Sequence, residues 1–119
     1  MTGLTTHILD LTHGTPASNV IVELFFQEAH RNSWKKIKVV KTNSDGRLDA
    51  PLLTREEMKI GSYELIFHVG VYFREKEIAL PDPPFLEAVP VRFGVSNIDK
   101  DYHVPLLISP WGYQVYRGS

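Results

Sequence analysis

The chain predicts an all-β fold: an antiparallel β-sandwich of short strands carrying one short helix. Three observations predict it. Successive runs of residues alternate apolar and polar side chains, the period of a half-buried strand. Turn-forming clusters such as His13-Gly14-Thr15-Pro16, Asp45-Gly46 and Pro110-Trp111-Gly112 separate those runs at regular spacing. A single stretch, Val71 to Ile78, suits a helix better, and Leu80-Pro81-Asp82-Pro83-Pro84 closes it because proline cannot continue a helix.

Leu4 to Leu11 reads as the first strand, with Leu4, Thr6, Ile8 and Asp10 on one face and Thr5, His7, Leu9 and Leu11 on the other. Thr12 to Pro16 is a turn by composition. Val20 to Gln27 is rich in β-branched and aromatic residues and forms the next strand. After a polar turn over 28–33, Trp34 to Thr42 is a strand whose lysines at 35, 36, 38 and 41 point to a wet face. Asn43-Ser44-Asp45-Gly46 is a hairpin-type turn, since Asp-Gly accepts positive φ. Arg47 to Asp49 reads as a short extended piece closed by Pro51, and Thr54 to Glu57 as one helical turn at most. Gly61 to Val69 and Val89 to Val95 are strands, and two more follow around the Ser109-Pro110-Trp111-Gly112 turn. The last of these runs into Tyr116-Arg117-Gly118-Ser119, where most domains have a frayed polar tail.

The 119 residues are expected to form one domain over 1–119, long enough for a core without disulfide or metal staples. The absence of cysteine excludes a disulfide framework, a thiolate metal site and a cysteine nucleophile. A net charge of −1 with interspersed acids and bases argues against a nucleic-acid or membrane-surface patch. No apolar run approaches the ~20 residues of a membrane span, and the first residues lack the pattern of a secretion signal. The expectation is a cytoplasmic protein without nucleic-acid or membrane partners.

Candidates for chemistry are the five histidines, three of the arginines (47, 92 and 117) and the terminal segment. His13 and His30 fall in turns and are expected in solvent, and His68 is expected to be a hydrogen-bonded structural residue. His7 shares a strand face with Leu9 and Leu11, and His103 shares one with Pro105 and Leu107. Imidazole can take and give a proton near neutrality, so the two rings either line one cavity or are satisfied separately at a sheet end. No third ligand stands at metal-ligand spacing. Arg47 is open between a surface ion pair and a site. Nucleophile-elbow, phosphate-loop and dinucleotide motifs are absent, so no cofactor is expected.

Three separated motifs carry a resemblance that runs nearly end to end. They are Leu4-Thr-Thr-His7-Ile-Leu-Asp10 with Gly14-Thr-Pro16, Thr42-Asn-Ser-Asp-Gly-Arg47-Leu48, and Tyr102-His103-Val104-Pro105 with the terminal Tyr116-Arg117-Gly118-Ser119. The chain resembles the transthyretin-related proteins, the family that includes the 5-hydroxyisourate hydrolases. That resemblance implies two four-stranded sheets with one short helix, a homotetramer around a central channel, and active sites inside the channel. It implies hydrolytic ring opening of a small molecule, 5-hydroxyisourate, in urate breakdown, with no cofactor and no metal. Catalytic roles would fall on His7, Arg47, His103 and Ser119. Substrate-binding roles would fall on His7, Arg47, Tyr116, Arg117 and Gly118. A carrier without turnover is the rival reading, and it predicts that loss of His103 is tolerated.

Overall fold

The computed structural model describes residues 3–28 and 32–118. Its eight strands are β1 (Leu4–Asp10), β2 (Thr15–Pro16), β3 (Ile21–Gln27), β4 (Lys35–Lys41), β5 (Gly61–Phe67), β6 (Val89–Val95), β7 (Tyr102–Ser109) and β8 (Gly112–Val115). They form two four-stranded sheets, in the orders β2-β1-β7-β8 and β4-β3-β5-β6. Helix α1 (Val69–Glu75) links β5 to β6, and a 3₁₀ turn over Arg55–Glu57 precedes β5.

The alternation read from the chain is the alternation that packs. Leu4, Ile8, Leu106 and Ile108 of one sheet are fully buried, as are Val22, Leu24, Leu65 and Phe67 of the other. Residues between them, including Thr5, His7 and Leu9 of β1, stay half-exposed on the outer face. Strand β4 is an edge, and its lysines keep the strand mostly in water. Charge on an edge strand also discourages pairing with foreign strands.

Four features depart from the sequence expectation. All ladders but one are antiparallel; β1 runs parallel to β7, a direction that no local pattern encodes. The expected strand at Arg47 to Asp49 is a bend, because Gly46 at φ 72° and hydrogen bonds to Asn43 curl the chain there. Its place in the count is taken by β2, two residues that the Gly14 turn folds back on Leu9 and Asp10. The helix starts at Val69 rather than Val71, since Val69, Tyr72 and Phe73 make one buried stripe. It ends before the prolines, where Glu77 takes a left-handed φ of 58°.

His13 is also better connected than a solvated turn residue. The Asp10 carboxylate, buried at the end of β1, accepts from His13 Nδ1 at 2.5 Å and from the Tyr72 hydroxyl at 2.7 Å. Burial pushes this carboxyl up, but the bonds from His13 and Tyr72 outweigh it and hold the group below its ordinary value. The pairing ties β1, its following turn and α1 together. His68 bonds Glu23 at 2.7 Å, a structural histidine as expected, although it caps α1 instead of ending a strand. His30 lies outside the described residues.

Thr42 is the polar residue whose removal the core should feel most plainly. Its buried hydroxyl donates to the Ala17 carbonyl at 2.8 Å and accepts from the Val20 N–H at 2.9 Å. Thr42→Val keeps the shape and strands both backbone groups, each at about 1–3 kcal/mol. We expect a loss of about 2–4 kcal/mol in a urea titration at fixed protein concentration. A loss below about 0.5 kcal/mol would show that the two groups find other partners.

Candidate active site

The outer face of the β2-β1-β7-β8 sheet brings the two strand histidines together. In the parallel ladder Thr5 stands opposite His103 and His7 opposite Pro105. His7 and His103 therefore share a face, offset by two residues, with their Cα atoms roughly 8 Å apart from strand spacing and rise. Leu9 opposite Leu107 continues the same face as an aliphatic floor. The two strand ends suspected of lining one cavity thus meet on one surface.

Each ring is held at one nitrogen. The Thr5 hydroxyl lies 2.8 Å from His103 Nδ1. His7 Nε2 lies 3.0 Å from the Asp45 carbonyl oxygen. A carbonyl can only accept, so His7 Nε2 carries a proton, and the neutral ring keeps its free lone pair on Nδ1. Sequence reading missed both Thr5 and Asp45. Thr5 was findable, since it shares the face parity of His7; a backbone carbonyl leaves no trace in residue identity.

Arg47 belongs to the same constellation by its field. Burial holds the His7 imidazole below its ordinary value, and the Arg47 charge lowers it further. The same two causes act on His103 in the same order, with a third contribution from His7. Both shifts favour the neutral ring, the state in which imidazole can accept a proton.

The terminal segment closes on His103 through a gap in the β7–β8 ladder. Pairs run from Ser109–Gly112 to Leu106–Val115, and the same register resumes at His103–Gly118. Between them the pair due to exchange hydrogen bonds is Pro105 with Tyr116, and proline has no N–H to give. The chain is freed there, Tyr116 stands exposed, and Gly118 N–H returns to the His103 carbonyl at 2.8 Å. Only glycine fits at 118, because a Cβ would come within 2.6 Å of His103 Cδ2. Arg117 goes elsewhere: its guanidinium lies 4.2 Å from the Tyr102 ring centre and reaches the Asp101 carbonyl. Ser119 lies outside the described residues.

His7 and His103 are half-buried on the outer face of their sheet. A hollow of about 470 Å³ occurs on the other sheet, lined by Phe26, Tyr63 and lysines including Lys36 and Lys59. It holds none of the site candidates. Among the described residues no group of three or more histidines and carboxylates is placed to hold a metal ion.

A sequence profile described as the HIUase/Transthyretin family matches residues 4–118. The chain is 51% identical over 116 residues to "5-hydroxyisourate hydrolase 2" of Rhizobium meliloti (strain 1021), covering 98% of this chain and 95% of that one. Among solved structures, (S)-allantoin synthase superposes with a TM-score of 0.90 at 39% identity, over 98% of this chain and 43% of that chain. Sea bream transthyretin in complex with thyroxine superposes with a TM-score of 0.85 at 27% identity, over 97% of this chain and 93% of that one.

The electrostatics predict a titration that NMR can follow. Both imidazoles should titrate with midpoints below the ordinary imidazole value of 6.5. Arg47→Gln removes a like charge that disfavours the protonated rings, so both midpoints should rise toward that value. Midpoints unmoved by the substitution would place the guanidinium away from the imidazole face.

Proposed function

The chain belongs to the HIUase/transthyretin family, and on that premise we propose that the imidazole face of the β1–β7 sheet is where it hydrolyses 5-hydroxyisourate. The observation that carries this reading is the meeting of two imidazoles on one face, from residues 7 and 103, with burial and then the Arg47 charge lowering both. The reaction opens the six-membered ring at a cyclic acyl–nitrogen bond and yields 2-oxo-4-hydroxy-4-carboxy-5-ureidoimidazoline. It needs a base for water, a stabiliser for the carbonyl oxygen as it gains charge, and a proton for the departing nitrogen.

The residues present can divide this work. His7 takes the water proton on Nδ1, since Nε2 is committed to the Asp45 carbonyl. The hydroxide oxygen adds to the substrate carbonyl carbon, and the π pair moves onto oxygen. Arg47, with a fixed charge and several donors, supports that oxyanion. When the intermediate collapses, the C–N bond breaks and the His7 imidazolium returns its proton to nitrogen. His103, steadied by Thr5, is the second polar contact to the reacting group. Tyr116, exposed beside it, serves as a wall for the planar ring, with Gly118 leaving room at the imidazole. Ser119 would complete the terminal wall through its hydroxyl or its carboxylate, as the family resemblance implies. Arg117 takes the part of an anchor, holding this segment through Tyr102 and Asp101. No step calls for a metal or cofactor.

Half-exposed rings leave the reacting groups within reach of bulk water, where fixed charges are weak. A homotetramer answers that need: a second copy laid over Leu9, Leu107 and Gln114 would roof the site and form the channel. Among the described residues no helix is long and apolar enough to cross a membrane. We place the reaction in the cytoplasm, with neither nucleic acid nor membrane as partner.

The test uses 5-hydroxyisourate generated in situ from urate and urate oxidase, with its ultraviolet decay followed directly. Wild type should accelerate the decay, and His103→Ala or His7→Asn should lose about 100-fold or more in kcat/KM with the fold intact. The kcat/KM profile should rise with pH through a midpoint below 6.5 and then level, because a neutral base is required. Decay at the spontaneous rate with wild type, or full activity in His103→Ala, would overturn the reading in favour of a carrier. For the assembly, light scattering and activity of an interface variant such as Leu107→Lys should show loss of the tetramer and of turnover together. A fully active monomer would contradict the roof.

A further inference from the structure

The loop between β4 and the Arg47 bend is organised around Asn43. Two of its peptide units lie side by side between Asn43 and β1. In the first, Gly46 N–H donates to the Asn43 carbonyl at 3.0 Å. The C=O of that same unit belongs to Asp45, and in a trans peptide it points the opposite way; it accepts from His7 Nε2 at 3.0 Å. In the second unit, Arg47 N–H donates to Asn43 Oδ1 at 3.1 Å. Its C=O belongs to Gly46 and accepts from the Ile8 N–H at 2.8 Å. One hydrogen-bond chain thus ends on the backbone of Asn43 and the other on its side chain.

The remaining contacts reinforce the same residue. Asn43 Oδ1 also accepts from Asp45 N–H at 2.9 Å, and Asn43 N–H donates to the Arg47 carbonyl at 2.7 Å. Asn43 Nδ2 donates to Asp49 Oδ1 at 3.0 Å, which turns the amide so that its oxygen faces the loop. Gly46 is pressed against β1 so closely that a Cβ would come within 2.4 Å of the Ile8 carbonyl oxygen. The loop has no slack on the strand side, so its orientation is set from the Asn43 side.

We propose that Asn43 is a positioning residue for the hydrolysis: through two adjacent peptide units it aims the Asp45 carbonyl at His7 and sets the bend from which Arg47 projects. The side chain, which itself touches no substrate, acts on the guanidinium through the Arg47 N–H and on the Asp45 carbonyl that fixes His7 through the Asp45 N–H, while the Asn43 backbone carbonyl holds Gly46 in every variant. Asparagine suits the task because its carbonyl can accept two backbone N–H groups while its NH₂ is held elsewhere. The inference rests on the assignment of His7 and Arg47 to the reaction.

The test is a double-mutant cycle on the ring-opening assay. Asn43→Ala should lower kcat/KM about 10- to 100-fold, as small misplacements of catalytic groups do. It should also move the acid limb of the pH profile upward, as the Arg47 charge leaves the imidazoles. Asn43→Ser, whose hydroxyl can accept the same backbone bonds more weakly, should recover part of the loss. In an Arg47→Gln background Asn43→Ala should cost far less than it does alone, because residues acting as one unit are non-additive. Circular dichroism and thermal midpoints accompany each variant, and if the alanine variant does not fold, the serine variant carries the same cycle. A kcat/KM within twofold of wild type, or losses that multiply with those of Arg47→Gln, would overturn the proposal. If Arg47→Gln and His7→Asn are themselves fully active, the underlying reading fails instead.

Discussion

The parallel ladder between β1 and β7 puts Thr5 against His103 and His7 against Pro105, and the site has no existence apart from that register. Side chains alternate across a strand, so a slip of one residue would turn one imidazole into the core and bring a core residue out. Burial of Leu4, Thr6 and Ile8 on one strand, and of Val104, Leu106 and Ile108 on the other, prevents such a slip. The two partners are separated by nearly the whole chain, so the ladder closes only once much of the sandwich has formed. Fold and site are therefore specified together.

Around that ladder several residues give up local stability for placement. Pro105 sits within an inner strand of its sheet, where it forgoes a ladder hydrogen bond and frees the terminal segment beside His103. Gly118 accepts the entropic cost of glycine so that the backbone can lie against the imidazole. Burial and then the Arg47 charge oppose the charged forms of both rings, which favours the state that accepts protons. These three placements all bear on the face that carries the histidines. The opposite sheet shows the plainer alternation of an ordinary half-buried β-layer.

Much of the fold was legible because burial imposes a period on the chain. Strand β6 and the terminal hairpin lie where alternation and turn residues put them. Short-range signals failed where a tertiary contact decided the outcome. Strand β2 is two residues held by the Asp10 turn, too short to show a period. Arg47 to Asp49 has strand-like composition, but Asn43 and Gly46 curl it. The start of α1 moved because Val69 packs with Tyr72 and Phe73, a stripe that strand alternation can mimic over so short a stretch. At the site, parity alone placed His7 and His103 on apolar faces, yet that the faces were one face needed the parallel pairing. Arg47 was a candidate from the start, but only family resemblance lifted it above the surface ion pair that an arginine after Asp-Gly suggests. The His13–Asp10 pair was half visible: Asp10 shares its face with Leu4 and Ile8, which marks a buried carboxylate in need of partners.

In the proposed site the reacting ring sits between His7, His103 and Arg47 and under the terminal segment. A crystal structure of the protein with a stable planar analogue of 5-hydroxyisourate tests it most directly. The analogue should lie against the imidazole face, with a carbonyl oxygen directed to Arg47 and Tyr116 along its edge. An analogue found instead in the hollow lined by Phe26 and Tyr63, with the imidazole face bare, would contradict it.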